Sequence, residues 1–233
     1  MFRKALVCVG GKRISVILLC LIVFSSFTII PLSADILIPM DNTQTNHLKA
    51  YGIAFAGLKE HLVGRWLLNY RGGSFLFPDS ESLIALCNIR GVRYENVSSS
   101  AVAAILTEIQ ANNMESIALE KEPKIAVYIP PNALPWDDAV TMALDYAEID
   151  YDRVWDDEVL GGKLPEYDWL HLHHEDFTGQ YGKFYGSSRN TSSYQNVVRV
   201  NEAMAAKHNF AKVWQLKHAV AEKIRNYVIN GGF

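Results

Sequence analysis

The sequence predicts an α/β protein built on a parallel, doubly wound sheet and preceded by a βαβ region. Two observations carry this. Apolar runs of strand length alternate with segments of helical period along most of the chain, the pattern that places helices on both faces of a parallel sheet. The stretch "KIAVYIPP" (Lys124 to Pro131) is apolar without alternation, as expected of a strand covered on both faces.

The elements follow in order. Residues 1–34 are set apart: Arg3, Lys4, Lys12 and Arg13 precede the apolar run Ile14 to Leu32, and then comes "SAD". A basic start, an apolar core and a small residue before the cut are the layout of a secretory signal, with cleavage expected after Ala34. The run is also long enough to span a bilayer, so an uncleaved anchor is the other reading. Residues 35–120 form the βαβ region. "DILIPMD" reads as a strand, and "NTQTNHLKAYGIAFAGLKEHL" as a helix capped by Thr45 or Asn46, with Gly52 and Gly57 weakening it. "VGRWLLNYRGG" is the second strand. "SESLIALCNIRG" is a short helix stopped by Gly91, "VRYENV" is extended, and "SSSAVAAILTEIQAN" is a helix with serine caps. "MESIALEKEP" is expected to cross the surface.

Residues 121–233 restart the pattern. The strand Lys124 to Pro131 leads to the helix "WDDAVTMALDYAEID", whose Asp137 and Asp138 suit a positive N-terminal end. The strand "YDRVW", a helical turn and the strand "DWLHLHH" follow. "FTGQYGKFYGSSRNTSS" reads as a long Gly/Tyr/Ser loop, and two helices end the chain.

Composition excludes several classes. Of 233 residues, 49% are hydrophobic and 20% charged, which is globular rather than disordered. Loss of the leader removes four of 22 basic residues and leaves 18 against 25 acids, a balance of −7. Nucleic acid is therefore not an expected partner, and a membrane contact is expected only through an uncleaved N-terminal segment. Beyond the leader only Cys87 remains, so no internal disulfide can form, and its apolar helical setting suits a buried thiol.

The candidate chemistry centres on "HLHHED". His171 and His173 share one side of their strand, while His174 points the other way. Glu175 and Asp176 then enter the loop at the C-terminal strand ends, where doubly wound sheets bind ligands. His173, His174 and Glu175 are the candidate catalytic acid/base groups; buried, hydrogen-bonded histidines and a turn-capping Asp176 are the structural alternative. Asp176 and Gln180 of the loop, Asn132 of "IPPNALPWDD" and Arg71 of "NYRGGSF" are candidate ligand contacts. Arg71 beside two glycines could hold an anion, although a turn explains the same residues. The histidines lack an evident ligand from a second segment, and no glycine-rich nucleotide loop or Gly-x-Ser-x-Gly elbow occurs. No metal and no cofactor are expected.

The order of these segments resembles the class I glutamine amidotransferase-like fold. The resemblance rests on "KIAVYIPP", "DDAVTMALDYAEI", "YDRVW", the Leu-x-x-Tyr-Asp turn Leu164 to Asp168, and "YVINGGF", which is similar to a late helix ending in Val-x-x-Gly-Gly. It covers roughly residues 124–233 and implies a flavodoxin-like sheet. In that fold a strand bearing a cysteine nucleophile follows such a helix, so the resemblance implies an amidotransferase-like hydrolase with its nucleophile beyond Phe233, and a chain that is an N-terminal piece. "NHLKAYGIAF", "WLLNYRGGSF" and "LHLHHEDFTGQYG" resemble bacterial envelope proteins often labelled asparagine synthetase B. Asparagine formation itself needs a cysteine at the mature N-terminus and a Ser-Gly-Gly-x-Asp-Ser loop. Here Asp35 follows the expected cut, and no such loop occurs. The expectation is an exported protein of the periplasm or envelope. It acts either as an amidotransferase-like hydrolase or, without catalysis, as a binder of a small molecule or an envelope partner.

Overall fold

The computed structural model describes residues 34–134, 138–173, 175–178 and 190–233. Residues 1–33, which hold nearly all of the expected leader, and Asp137, His174, Gln180 and most of the Gly/Tyr loop lie outside the described residues.

Two sheets organise the described chain. The first has the order β4-β1-β3-β2-β5, with β1 Ala34–Ile38, β2 Gly64–Leu68, β3 Ser74–Phe77, β4 Glu95–Ser98 and β5 Glu115–Leu119. Every pairing in it is antiparallel. This corrects the expected parallel βαβ region. Strand β1, helix α1 (His47–Lys59) and strand β2 do follow one another, but β3 inserts between β1 and β2 and pairs with both. The result is a split β-α-β arrangement. The cause is the tight return after β2, where Asn69, Arg71, Gly72 and Gly73 all adopt positive φ. Gly72 is required there, because a Cβ would lie 2.3 Å from the Met40 carbonyl oxygen. The return turns "SFLF" into a fully buried central strand. The reading of "MESIALEKEP" as a surface crossing is also corrected: Glu115–Leu119 is an edge strand on β2.

Side-chain alternation divides this sheet between two cores. Ile36, Ile38, Phe75 and Phe77 pack with Ile53 and Leu58 of α1 and with Leu83 and Cys87 of α2 (Glu81–Arg90). Leu37, Leu67 and Leu76 face Ile105 and Ile109 of α3 (Ser99–Ala111). Asn46 and Ser98 cap α1 and α3 as the sequence predicts, and Ser80 caps α2; each side chain accepts the backbone N–H three residues on.

The second sheet is parallel, in the order β7-β6-β8, with β6 Ile125–Tyr128, β7 Asp152–Val154 and β8 Trp169–Leu172. As its unbroken apolar run predicts, β6 is buried throughout. One face, with Ile125 and Val127, is covered by α4 (Ala139–Ala147). The other, with Ala126, Tyr128 and Leu170, packs on α5 (Asp156–Leu160) and α7 (Val213–Ile229). Helix α6 (Ser192–Lys207) lies on α7. Beyond α7, the Phe233 N–H donates to the Asp168 carbonyl at 3.3 Å, and the Leu170 N–H donates to the Phe233 carbonyl at 2.7 Å. Phe233 thus bridges β8 in the parallel sense, on the edge away from β6.

Helices α1 and α4 join the two sheets. Gly52 allows the approach, since a Cβ there would sit 1.8 Å from the Ala147 carbonyl oxygen. Glu148 pairs with both Lys49 and Arg90 around this contact. The glycine that weakens α1 as a helix is what lets α1 dock.

Candidate functional site

The C-terminal ends of the three parallel strands gather the charged residues that a core would ordinarily exclude. On the α4 face, β8 presents His171 and His173 on one side, two residues apart. The loop after β6 returns Asp138 to meet them. Its Oδ1 accepts the Val140 N–H at 2.8 Å and so caps α4. Its Oδ2 lies 3.4 Å from His171 Nε2 and 3.4 Å from His173 Nδ1. Asp138 is only 6% exposed, and Oδ2 makes no hydrogen bond although both ring nitrogens lie within ion-pair distance of it. His173 is buried and His171 half-buried. Asp138 was legible as a helix-start residue, but its second oxygen's place between two histidines was not.

On the opposite face a second cluster is buried more deeply. Lys217 of α7 is 2% exposed and Asp156, at the start of α5, is fully buried. The Lys217 ammonium donates to both Asp156 oxygens and to the Tyr128 hydroxyl, each at 3.0 Å. Tyr128 in turn donates to Asp156 Oδ1. The ammonium also lies 4.0 Å from the centre of the Trp155 ring, and Trp155 and Phe177 stack on either side of Tyr128. Burial pushes the Lys217 proton affinity below the usual lysine range, and the Asp156 carboxylate opposes that push. Glu175 and Asp176, just beyond β8, act on Lys217 in the same direction as Asp156. None of Tyr128, Asp156 and Lys217 stands out in sequence, because they are 28 and 61 residues apart along the chain.

The remaining candidates divide. Glu175 is half-buried and its N–H donates to the His173 carbonyl at 2.7 Å. Asp176 Oδ1 accepts the Thr178 N–H at 2.8 Å, the turn-capping role that was the structural alternative. Its Oδ2 is buried without a partner. Asn132 is exposed on the β6–α4 loop, near the same edge. Arg71 belongs elsewhere. At the end of the antiparallel sheet its Nε donates to Asp41 at 2.7 Å, and its two terminal nitrogens donate to the two Glu95 oxygens. Two carboxylates thus occupy the guanidinium that sequence reading offered to an anion. His174 and Gln180 fall outside the described residues. Cys87 lies in the antiparallel half, where burial pushes its thiol up to about 11; this is the inert thiol expected.

Among the described residues no three His, Cys, Asp or Glu side chains are arranged to hold a metal ion. The edge can instead hold and move protons through imidazole and carboxylate groups, and it can bind a polar ligand. Among the described residues no helix is long and apolar enough to cross a membrane. No protein family, no curated protein and no solved structure matches the chain.

Proposed function

We propose that the chain is an exported protein of the cell envelope whose parallel half is a flavodoxin-like, class I amidotransferase-like domain, with its site at the C-terminal edge of β6 and β8. The strand order supports this. β6 leads to β7 on one side and the chain then crosses to β8 on the other, so the order reverses at β6. In open α/β sheets the crevice at such a reversal is where ligands bind. The observation that carries the reading is the meeting there of Asp138, from the loop after β6, with His171 of β8 and His173 just beyond it.

In this reading His173 is the acid/base group, Asp138 is the buried carboxylate beside it, and Glu175 follows two residues on. An imidazole beside a carboxylate can take a proton from water or from a substrate group and return it. The reaction class is hydrolysis of a small amide. Ammonia release from glutamine or asparagine by the purified mature protein, lost in His173→Ala, is the expected result. No release from either amide would sink the hydrolase. A second reading, a ligand-binding protein without catalysis, is favoured by Cys87: the one cysteine beyond the leader lies in the other half of the fold, away from this edge. Export is tested by fusing residues 1–40 to a reporter enzyme that is active only outside the cytoplasm.

A further inference from the structure

We infer that the C-terminal edge of the parallel sheet takes an organic cation, a protonated amine or guanidinium, seated on Asp138 Oδ2 between His171 and His173. This rests on the reading of that edge as the ligand site and names the ligand's chemistry.

Asp138 carries the argument. A buried carboxylate oxygen without a donor is costly, and native proteins leave very few of them. Oδ1 is filled by the helix cap, while Oδ2 is buried and unfilled. Its flanking groups are ring nitrogens, which in neutral imidazole include an acceptor as well as a donor. A ligand N–H is the partner that Oδ2 lacks. Among the described residues, the cations at this edge are committed elsewhere. Lys217 is on the other face, held by Asp156 and Tyr128. Arg153 of β7 reaches the β6–α4 loop but donates to the Pro130 and Ala133 carbonyls.

The charge balance selects the sign of the ligand. Among the described residues at these strand ends, Asp138, Asp156, Glu175 and Asp176 stand against Lys217 and Arg153. Asp176 Oδ2 is a second buried oxygen without a donor. A phosphate or carboxylate ligand would meet net repulsion here, and an amine would meet attraction. A metal ion would carry the right sign, but no three ligands are arranged for one among the described residues. Nitrogen is therefore the carrier of the charge.

The test uses the mature protein at constant ionic strength, with putrescine, methylguanidinium, inorganic phosphate and zinc chloride as separate probes. Binding is read by calorimetry and by the ring signals of His171 and His173. The expected result is that putrescine or methylguanidinium binds and moves both histidine signals, and that Asp138→Asn weakens this at least tenfold. Asparagine can still cap α4, so that variant should fold; Asp176→Asn provides a second, milder change. Three results would overturn the inference. Phosphate binding in place of the amines would show an anion site. Stoichiometric zinc with the amines excluded would show a metal site. Amine binding unchanged in Asp138→Asn would place the cation elsewhere. In each of those cases the edge remains a ligand site or its location is corrected. Silence of both histidine signals to every probe, and to glutamine, would instead remove the site reading itself.

Discussion

The two halves of this protein handle buried and half-buried charge differently. In the antiparallel half Arg71 is enclosed by Asp41 and Glu95, and the charged network closes on itself at the end of the sheet. In the parallel half Lys217 and Asp156 are buried far more deeply, and two carboxylate oxygens nearby, on Asp138 and Asp176, have no donor. The one other such atom among the described residues is Arg90 Nη1, in a guanidinium whose Nη2 already pairs with Glu148. A satisfied network holds a fold together. Unsatisfied buried oxygens, gathered at the strand ends where open sheets bind ligands, point to a function.

The largest expected effect comes from breaking the deep pair. Lys217→Met leaves Asp156 as an uncompensated buried charge and is expected to cost about 3–5 kcal/mol in urea unfolding. Removing both charges, in Lys217→Met with Asp156→Leu, should recover part of that loss. A loss in the single variant no larger than that of a surface substitution would show that water reaches the pair.

Next is the contact between the halves. Gly52→Ala improves helix propensity by up to about 1 kcal/mol, yet its methyl group would press on the Ala147 carbonyl oxygen. A net destabilisation of about 1–3 kcal/mol is expected, since overpacking against backbone cannot be relieved by a rotamer change. A stabilised Gly52→Ala would mean that α1 and α4 do not dock this closely.

The closed network of the antiparallel half should matter less. Arg71→Met is expected to cost about 1 kcal/mol, as for a half-exposed bidentate pair. It should also change the acid limb of stability. Arg71 holds the Glu95 carboxyl below its ordinary value of 4.5. The resulting stabilisation is present above that value and is lost as pH falls through the lower folded value. Arg71→Met should therefore make the loss of stability on acidification shallower, as read from melting temperature against pH. An unchanged acid limb would show that the network contributes nothing to folding.

The smallest effect on folding is expected at the proposed site. Asp138→Asn retains the cap and should shift stability by no more than about 0.5 kcal/mol, while abolishing most of the binding or turnover at that edge. Equal losses of stability and function would make Asp138 a structural residue only.

Local signals in the sequence located much of this fold. The continuous apolar run of β6, the serine and asparagine caps, and the strand-turn-helix spacing of residues 151–173 are local properties, and the described structure has them. The antiparallel half was misread because its decisive features are short or non-local. A four-residue strand, "SFLF", follows a return made by positive φ at Asn69 and Arg71, conformations that non-glycine residues rarely adopt. Strand β5 is an edge whose charged flanks hide its alternation. The site shows the same division. His171 and His173 were visible as a period-two pair. Asp138 was visible only as a cap, and the Tyr128–Asp156–Lys217 cluster exists only once α7 is laid across the strand ends. Arg71 was offered to an anion because its nearest carboxylate partners, 24 and 30 residues away, cannot be seen from "NYRGGSF".

The central claim, that function resides at the C-terminal edge of the parallel sheet and not in the antiparallel half, is tested most directly by the histidine ring signals of the protein. Putrescine and glutamine are added in turn. The account predicts that His171 and His173 move in response to at least one of them, while His47 and His61, on and beside α1, stay fixed. Movement of His47 or His61 with His171 and His173 unchanged would contradict it.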